Sequence, residues 1–260
     1  VSDKIVTRFA PSPTGYLHLG HAYSAWLNFE RGDTFILRIE DIDATRCKPE
    51  FEAAIYEDLK WLGLNWEEPV RRQSDRLKIY EAKLKDLYER GLVYRCFKTR
   101  KDLHEIMNAP HVYGTPFHGS PDPDEAQKLA QDLPYAWRLK MDKAAQTTGE
   151  TKAARHGDVV LGRKDIGTSY HLSCVMDDAD QGITHVIRGQ DLADIADLHT
   201  LLFKLLCHTP PHIEHHKLIT DETGKRFAKR DQSVTLTALR ESGMTPEDVR
   251  KRLFPEPSGA

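Results

Sequence analysis

Two histidines three residues apart, His18 and His21, follow a turn made of Pro11, Ser12, Pro13, Thr14 and Gly15. Residues at that spacing share one face of a helix. A helix start also offers backbone N–H groups that favour an anion such as phosphate. Gly20, between the two, leaves room for a flat ring or a phosphate to approach the backbone. Two imidazole donors so placed suit a reaction in which charge develops on phosphate, such as phosphoryl or adenylyl transfer. Far downstream comes a basic loop, Gly224-Lys225-Arg226-Phe227-Ala228-Lys229-Arg230. A mobile lysine in it can hold phosphates in the transition state, where a cation gains most. Taken singly, the pair reads as surface histidines beside a turn, and the loop as solvated surface.

The elements that must position these residues alternate. Residues 5–9 form a short β-branched strand, and a helix begins near His18 carrying Ala22, Ala25, Trp26 and Phe29. A second strand over 34–39 is nearly all apolar, as expected when both faces are covered. Helices follow over 49–62, with Phe51, Ile55, Leu59 and Leu62 on one face, and over 75–90, with Leu77, Tyr80, Leu84 and Leu87 as its stripe. Gly91 caps the latter. Strands are expected over 136–139, 158–161, 172–176 and 185–188, and a helix over 195–207. Thr245-Pro246-Glu247-Asp248 reads as a capping box with proline at the first helical position. This alternation predicts an α/β fold with a mainly parallel sheet, whose edge can bring together residues about 200 positions apart.

Composition narrows the class. The chain has 260 residues, 39% hydrophobic and 30% charged, with a net charge of −3. Disorder and a membrane protein are poor readings of that balance, and no run approaches the ~18 apolar residues of a spanning helix. The first residues lack the apolar stretch of a signal peptide. The four cysteines are scattered and form no disulfide framework, so a cytoplasmic, reducing compartment is expected. Charge is uneven: residues 40–70 carry nine acidic and three basic side chains, residues 71–104 eleven basic and five acidic. Each block alone reads as a solvated helix face, and the basic one can also lie beside a phosphate backbone. Residues 108–124, rich in Pro, Gly, Ser and His, read as a linker.

Taken together, H-L-G-H after a proline-rich loop and the late basic loop resemble the HIGH and KMSKS signatures of class I aminoacyl-tRNA synthetases. R-F-A-P-S-P-T-G-x-L-H-L-G-H-A, L-R-I-E-D-I-D and V-I-R-G-Q-D-L resemble the glutamate-specific branch of that family, over nearly the whole chain. The resemblance implies a Rossmann-type parallel sheet split by an inserted α+β subdomain. The halves of the catalytic domain fall at 1–94 and 158–211, the insertion at 95–157, and the KMSKS-like loop with a short helical end at 212–260. It implies that His18, Gly20, His21 and Lys229 bind ATP, with His18, His21 and Lys229 catalytic and Mg²⁺ expected on the phosphates. Glutamate carries an ammonium and two carboxylates, so its site should supply arginines and an acid. The resemblance assigns Arg8, Ser12, Glu40, Tyr170 and Arg188 to it. Without it, Glu40 with Asp41 and Asp43 reads as an acidic strand end or a helix cap, Tyr170 as a core ring and Arg188 as an ion-pair partner.

About thirty residues follow Lys229, enough for one or two helices. An anticodon-binding domain does not fit there. This implies the truncated branch of the family that esterifies glutamate to queuosine in the anticodon loop of tRNA(Asp), with a monomer expected. A catalytic fragment charging tRNA(Glu), a catalytically dead tRNA-binding paralogue and a small-molecule nucleotidyltransferase stay open as alternatives. The family often carries zinc on C-x-C and Y-x-x-x-C. Here Cys96 and Tyr113 match, but Lys98 and Phe117 stand at the other thiolate positions, and structural zinc needs four ligands. No zinc is expected, unless Cys96 is joined by His104, His111 or His118. Arg226 and Ala228 also depart from the loop signature, while Lys229 is intact.

Overall fold

The computed structural model describes residues 4–107, 116–219 and 235–255. In chain order the elements are β1 (Val6–Phe9), α1 (Leu19–Arg31), β2 (Thr34–Ile39), α2 (Pro49–Trp61), β3 (Glu67–Arg72), α3 (Leu77–Glu89), β4 (Val93–Cys96), α4 (Arg100–Met107), α5 (Glu125–Ala130), β5 (Ala136–Leu139), α6 (Met141–Thr148), β6 (Val160–Gly162), α7 (Tyr170–Asp180), β7 (His185–Gly189), α8 (Ala196–Leu205), β8 (His212–His216), α9 (Leu236–Glu241) and α10 (Pro246–Leu253). They fall into two units. One comprises Val1–Asp75, Gly182–Asp194 and Pro211–Ala260, the other Arg76–Gln181 and Ile195–Pro210.

The first unit holds the parallel strands. β2 pairs in parallel with β1 and β3, and β7 pairs in parallel with β8. Val6 and Thr184 exchange hydrogen bonds, Thr184 N–H to the Val6 carbonyl at 3.0 Å and Val6 N–H to Thr184 Oγ1 at 2.8 Å, which sets β7 beside β1. Phe9, Leu37 and Ile39 from the strands pack against Ala22, Ala25 and Trp26 of α1, and Ile55 and Leu59 of α2 join that core. The last helices close the same core through Leu236, Leu239, Val249 and Leu253. Thr245 caps α10 as the sequence predicts: Asp248 N–H donates to its Oγ1 at 3.2 Å, and its own N–H donates to Asp248 Oδ2 at 3.0 Å.

The second unit carries the antiparallel ladder β4-β5-β6. Asp158 is its polar centre, 4% exposed. Its Oδ2 accepts from Tyr94 Oη at 2.9 Å and Gly119 N–H at 2.8 Å, and its Oδ1 from Met141 N–H at 3.0 Å. Arg95 lies over the rings of Tyr88, Tyr135 and Trp137 and pairs with Glu125. Gly91 ends the turn after α3 at φ +67°, a conformation that favours glycine. Within the α3 stripe, Tyr80, Leu84 and Leu87 are buried while Leu77 is exposed.

One expected strand is a helix. Residues 172–176, read as β, lie inside α7. Five apolar or small residues are too short a window to separate the two periods. Over eleven residues the helical spacing is visible as Leu172, Val175, Met176 and Ala179. The helix is anchored by Asp177, fully buried, which accepts from Tyr80 Oη at 2.7 Å and pairs with Arg76 Nε at 2.8 Å.

Asp58 of α2 is also fully buried, with Thr237 Oγ1 at 3.2 Å and Arg240 Nη1 at 3.5 Å. Burial pushes its carboxyl up to about 6, against the pull of Arg240 and the Thr237 hydroxyl. A carboxyl raised on folding stabilises the fold below its ordinary range, near pH 4, and loses that contribution as pH rises through 6. Asp58→Asn has no such titration. Between pH 5 and 7.5 the unfolding free energy of the variant, relative to the native chain, is expected to rise by about 1 kcal/mol in urea unfolding. A difference that stays constant across that range refutes the assignment.

Candidate active site

The turn between β1 and α1 is stapled to the exit of β2. Glu40 N–H donates to the Pro11 carbonyl and Lys48 N–H to the Pro13 carbonyl, both at 3.0 Å. Both prolines are buried, and Ser12 between them is half-buried. Thr14 N–H donates to the Ser12 carbonyl at 2.8 Å. Leu17 is buried, and the chain enters α1 with His18 as its N-cap in extended conformation.

The two histidines cap that helix reciprocally. Gly20 N–H donates to His18 Nδ1, and His18 N–H donates to His21 Nδ1, each at 3.1 Å. The arrangement is a capping box in which imidazoles do what serine and glutamate usually do. An Nδ1 that accepts a backbone N–H cannot carry a proton, so each neutral ring carries its proton on Nε2. The ring centroids lie 3.8 Å apart, tilted by 35°. The cap therefore fixes both tautomers and sets two Nε2–H donors side by side at the start of α1. Gly20 matters here for a reason closer than ligand access. A Cβ on it would lie 3.1 Å from His18 Cε1 and 3.2 Å from His18 Nδ1.

The charged candidates lie on the strands of the same unit. Arg8 on β1 and Arg188 on β7 are each 5% exposed, and Glu40, just past the end of β2, is 9% exposed. In open α/β sheets the crevice beyond the carboxyl ends of the strands is where ligands bind. Behind Glu40 stands Arg38, fully buried, with Nη2 3.3 Å from Glu40 Oε1. Asp41 holds the chain there by accepting from Ser74 N–H at 2.8 Å and Ser74 Oγ at 2.6 Å, with Arg72 Nη2 at 3.2 Å. Arg188 Nε donates to His215 Nε2 at 3.4 Å.

The described hydrogen bonds thus bring His18, Gly20 and His21 into one cluster and fasten Glu40 to the Ser12 turn. Arg8 and Arg188 sit on neighbouring strands. Tyr170 belongs to the other unit, as the first residue of α7, with its ring centroid 5.6 Å from that of His199. Lys229 lies outside the described residues. The chain re-enters at Thr235, which makes an antiparallel bridge with His18, and Leu236 N–H donates to the Leu17 carbonyl at 2.8 Å. Sequence reading gave no role to Arg38 or His215 and read Asp41 only as part of an acidic strand end. Arg38 and Asp41 carried the signal of polar residues flanking Glu40 at a strand end. His215 carried none.

The residues at the zinc-like positions do not fit a metal. Phe117 offers a phenyl ring, with the Arg138 guanidinium over it at 4.8 Å, and Lys98 offers an ammonium. Cys96 is buried at the end of β4, and Tyr113 and His111 lie outside the described residues. Among the described residues no three His, Cys, Asp or Glu side chains group as metal ligands.

The family model for the catalytic domain of class I tRNA synthetases (E and Q) matches residues 4–256. A Glutamyl-Q tRNA(Asp) synthetase of Rhodobacter capsulatus is 46% identical, over 95% of this chain and 99% of its own length. A glutamate–tRNA ligase of Coprothermobacter proteolyticus is 35% identical over 95% of this chain and 57% of its own. Among solved structures, a glutamate tRNA ligase from Elizabethkingia meningosepticum in complex with its amino acid matches with a TM-score of 0.71 and 30% identity, over 88% of this chain and 52% of that one. Sheet, histidine cap and these matches agree, and the chain belongs to the class I tRNA synthetases of the glutamate and glutamine group.

Proposed function

We propose that this chain activates L-glutamate with ATP and transfers the glutamyl group to queuosine in the anticodon loop of tRNA(Asp). The observation that carries the reading is the match along 99% of a Glutamyl-Q tRNA(Asp) synthetase at 46% identity, against 35% over 57% of a glutamate–tRNA ligase. The described residues include no helix long and apolar enough to cross a membrane. No disulfide joins the four cysteines, which suits action in the cytoplasm, and we take the working form to be a monomer.

In the first step an oxygen of the glutamate α-carboxylate attacks the α-phosphorus of ATP in line, the bond to the β-phosphate breaks, and glutamyl-adenylate and pyrophosphate form. Little covalent work falls to the protein, which positions reactants and stabilises charge. Arg8 and Arg188 receive carboxylates, with Tyr170 and Ser12 completing the glutamate contacts, and Glu40 takes the ammonium. The Nε2–H groups of His18 and His21, with Lys229, hold the phosphates, and Mg²⁺ bound with ATP supplies further charge neutralisation. In the second step a queuosine hydroxyl attacks the adenylate carbonyl, AMP leaves, and its phosphate takes the proton.

Transfer of labelled glutamate, with ATP and Mg²⁺, decides the acceptor. Label is expected on tRNA(Asp) carrying queuosine and absent from the same tRNA carrying guanosine. Label on tRNA(Glu) would assign the chain to the glutamate–tRNA ligases, and label on none would remove the transfer activity. Lys229→Ala is expected to slow glutamate-dependent pyrophosphate exchange by about 100-fold while the glutamate KM stays nearly constant, because a transition-state contact lowers kcat and leaves ground-state binding alone. Equal losses in both would remove Lys229 from that role. Gly20→Ala shifts the His18 ring by a few tenths of an ångström, and a misplacement well under 1 Å should cost about tenfold in exchange rate. An unchanged rate would mean that the His18 position is not critical.

A further inference from the structure

His215 lies on β8 directly opposite Arg188 on β7 in the parallel register. Arg188 is 5% exposed and its Nε donates to His215 Nε2. For Nε2 to accept, the ring must carry its proton on Nδ1. The ring also hydrogen-bonds to the backbone of Leu192, in the turn that follows β7. That turn folds tightly back. A Cβ on Gly189 would lie 2.5 Å from Asp191 Oδ1 and 3.0 Å from Leu218 Cδ2. The imidazole is thus held between a strand arginine on one side and a turn carbonyl on the other.

We propose that His215 is a positioning residue for glutamate, whose neutral imidazole grips Nε of Arg188 and sets the plane in which the guanidinium receives a substrate carboxylate. The inference rests on the function proposed above. An arginine side chain has several rotatable bonds, and its value for a carboxylate lies in a planar fork of two N–H donors. Nε is not needed by a fork that engages through the two terminal nitrogens, so a partner there orients the group without competing for the substrate. Only a neutral ring can do this. A protonated one would turn a donor toward a donor and add a second positive charge.

The surroundings keep the ring neutral. Burial pushes its pKa below the ordinary histidine value, and the charge of Arg188 and the neighbouring His216 push the same way. The Leu192 carbonyl and Asp191 pull upward without reversing the shift. These are the groups that face the ring from β7, from the following turn and from β8. His215 therefore holds to its neutral form more strongly than an ordinary histidine does.

The test is glutamate-dependent pyrophosphate exchange by the full chain, with KM measured separately for glutamate and ATP between pH 5 and 8. In the native chain the glutamate KM is expected to rise toward the acid end of that range while the ATP KM stays level. His215→Leu should raise the glutamate KM at neutral pH by about tenfold, the loss of one hydrogen bond to a charged group, with the ATP KM unchanged. His215→Gln, whose Oε1 can accept from Arg188, should restore most of the affinity and flatten the acid rise. A pH-independent glutamate KM in the native chain overturns the inference. So does a His215→Leu variant with native glutamate KM, or with both KM values raised alike. Should the leucine variant fail to fold, the native and glutamine pH profiles decide alone. No exchange at all by the native chain overturns the proposed function and this inference together.

Discussion

A single buried amide fixes the helix on which the candidate ATP site is built. Asn28, fully buried on α1, donates through Nδ2 to the Ile187 carbonyl of β7 at 2.9 Å and to the Ser24 carbonyl of its own helix at 2.8 Å. Its backbone carbonyl accepts from Thr7 Oγ1 of β1 at 2.7 Å. One residue therefore ties α1 to two strands. The position tolerates little else, because a buried polar group left without partners costs about 1–3 kcal/mol. Gly32, just past the helix, completes the fit: a Cβ there would lie 2.4 Å from Thr7 Oγ1. With its C-terminal end fixed in this way, the helix must present its first turn at the end of the sheet where Glu40 and the Ser12 turn are fastened together.

The second unit solves a different problem. It has to hold a small antiparallel ladder, and it does so with charge and hydrogen bonds. Asp158 gathers a phenol and two backbone N–H groups, while Arg95 stacks on three aromatic rings. A buried carboxylate with several donors is stable only if all stay in place. Phe117 gives a surface for Arg138, and its carbonyl accepts from Asp158 N–H at 2.7 Å.

Much of this was legible in the sequence wherever the determinant was local. The H-L-G-H turn, the Thr245 cap and the helix over 49–62 are written in residues within one or two turns of each other. The parallel sheet followed from alternation. What escaped were relations that only strand pairing creates. Arg188 and His215 are 27 positions apart, and nothing in either neighbourhood announces the other. Asp158 looked like the first residue of a strand and is instead the polar centre of its unit. α7 was misread because five of its residues were weighed without the rest of the helical period. Even at Gly20 the spacing was right and the reason incomplete, since the first ring the glycine accommodates is that of His18.

The proposed mechanism asks two kinds of donor to do two kinds of work. Glutamate is a charged ground-state ligand, and buried arginines with a buried carboxylate match its fixed charges with little reorganisation. The phosphates change charge distribution during the reaction. A donor raises kcat only where its contact strengthens in the transition state, as is proposed for Lys229, because uniform binding lowers KM without raising kcat. Neutral imidazoles locked by the backbone as Nε2–H donors are likewise matched to charge that grows in the transition state. The reciprocal cap keeps them in that form, because protonating either Nδ1 would break a hydrogen bond at the helix start and add positive charge where the helix already presents its positive end. The same bonds that begin α1 thus set the tautomer of the groups proposed to act on ATP.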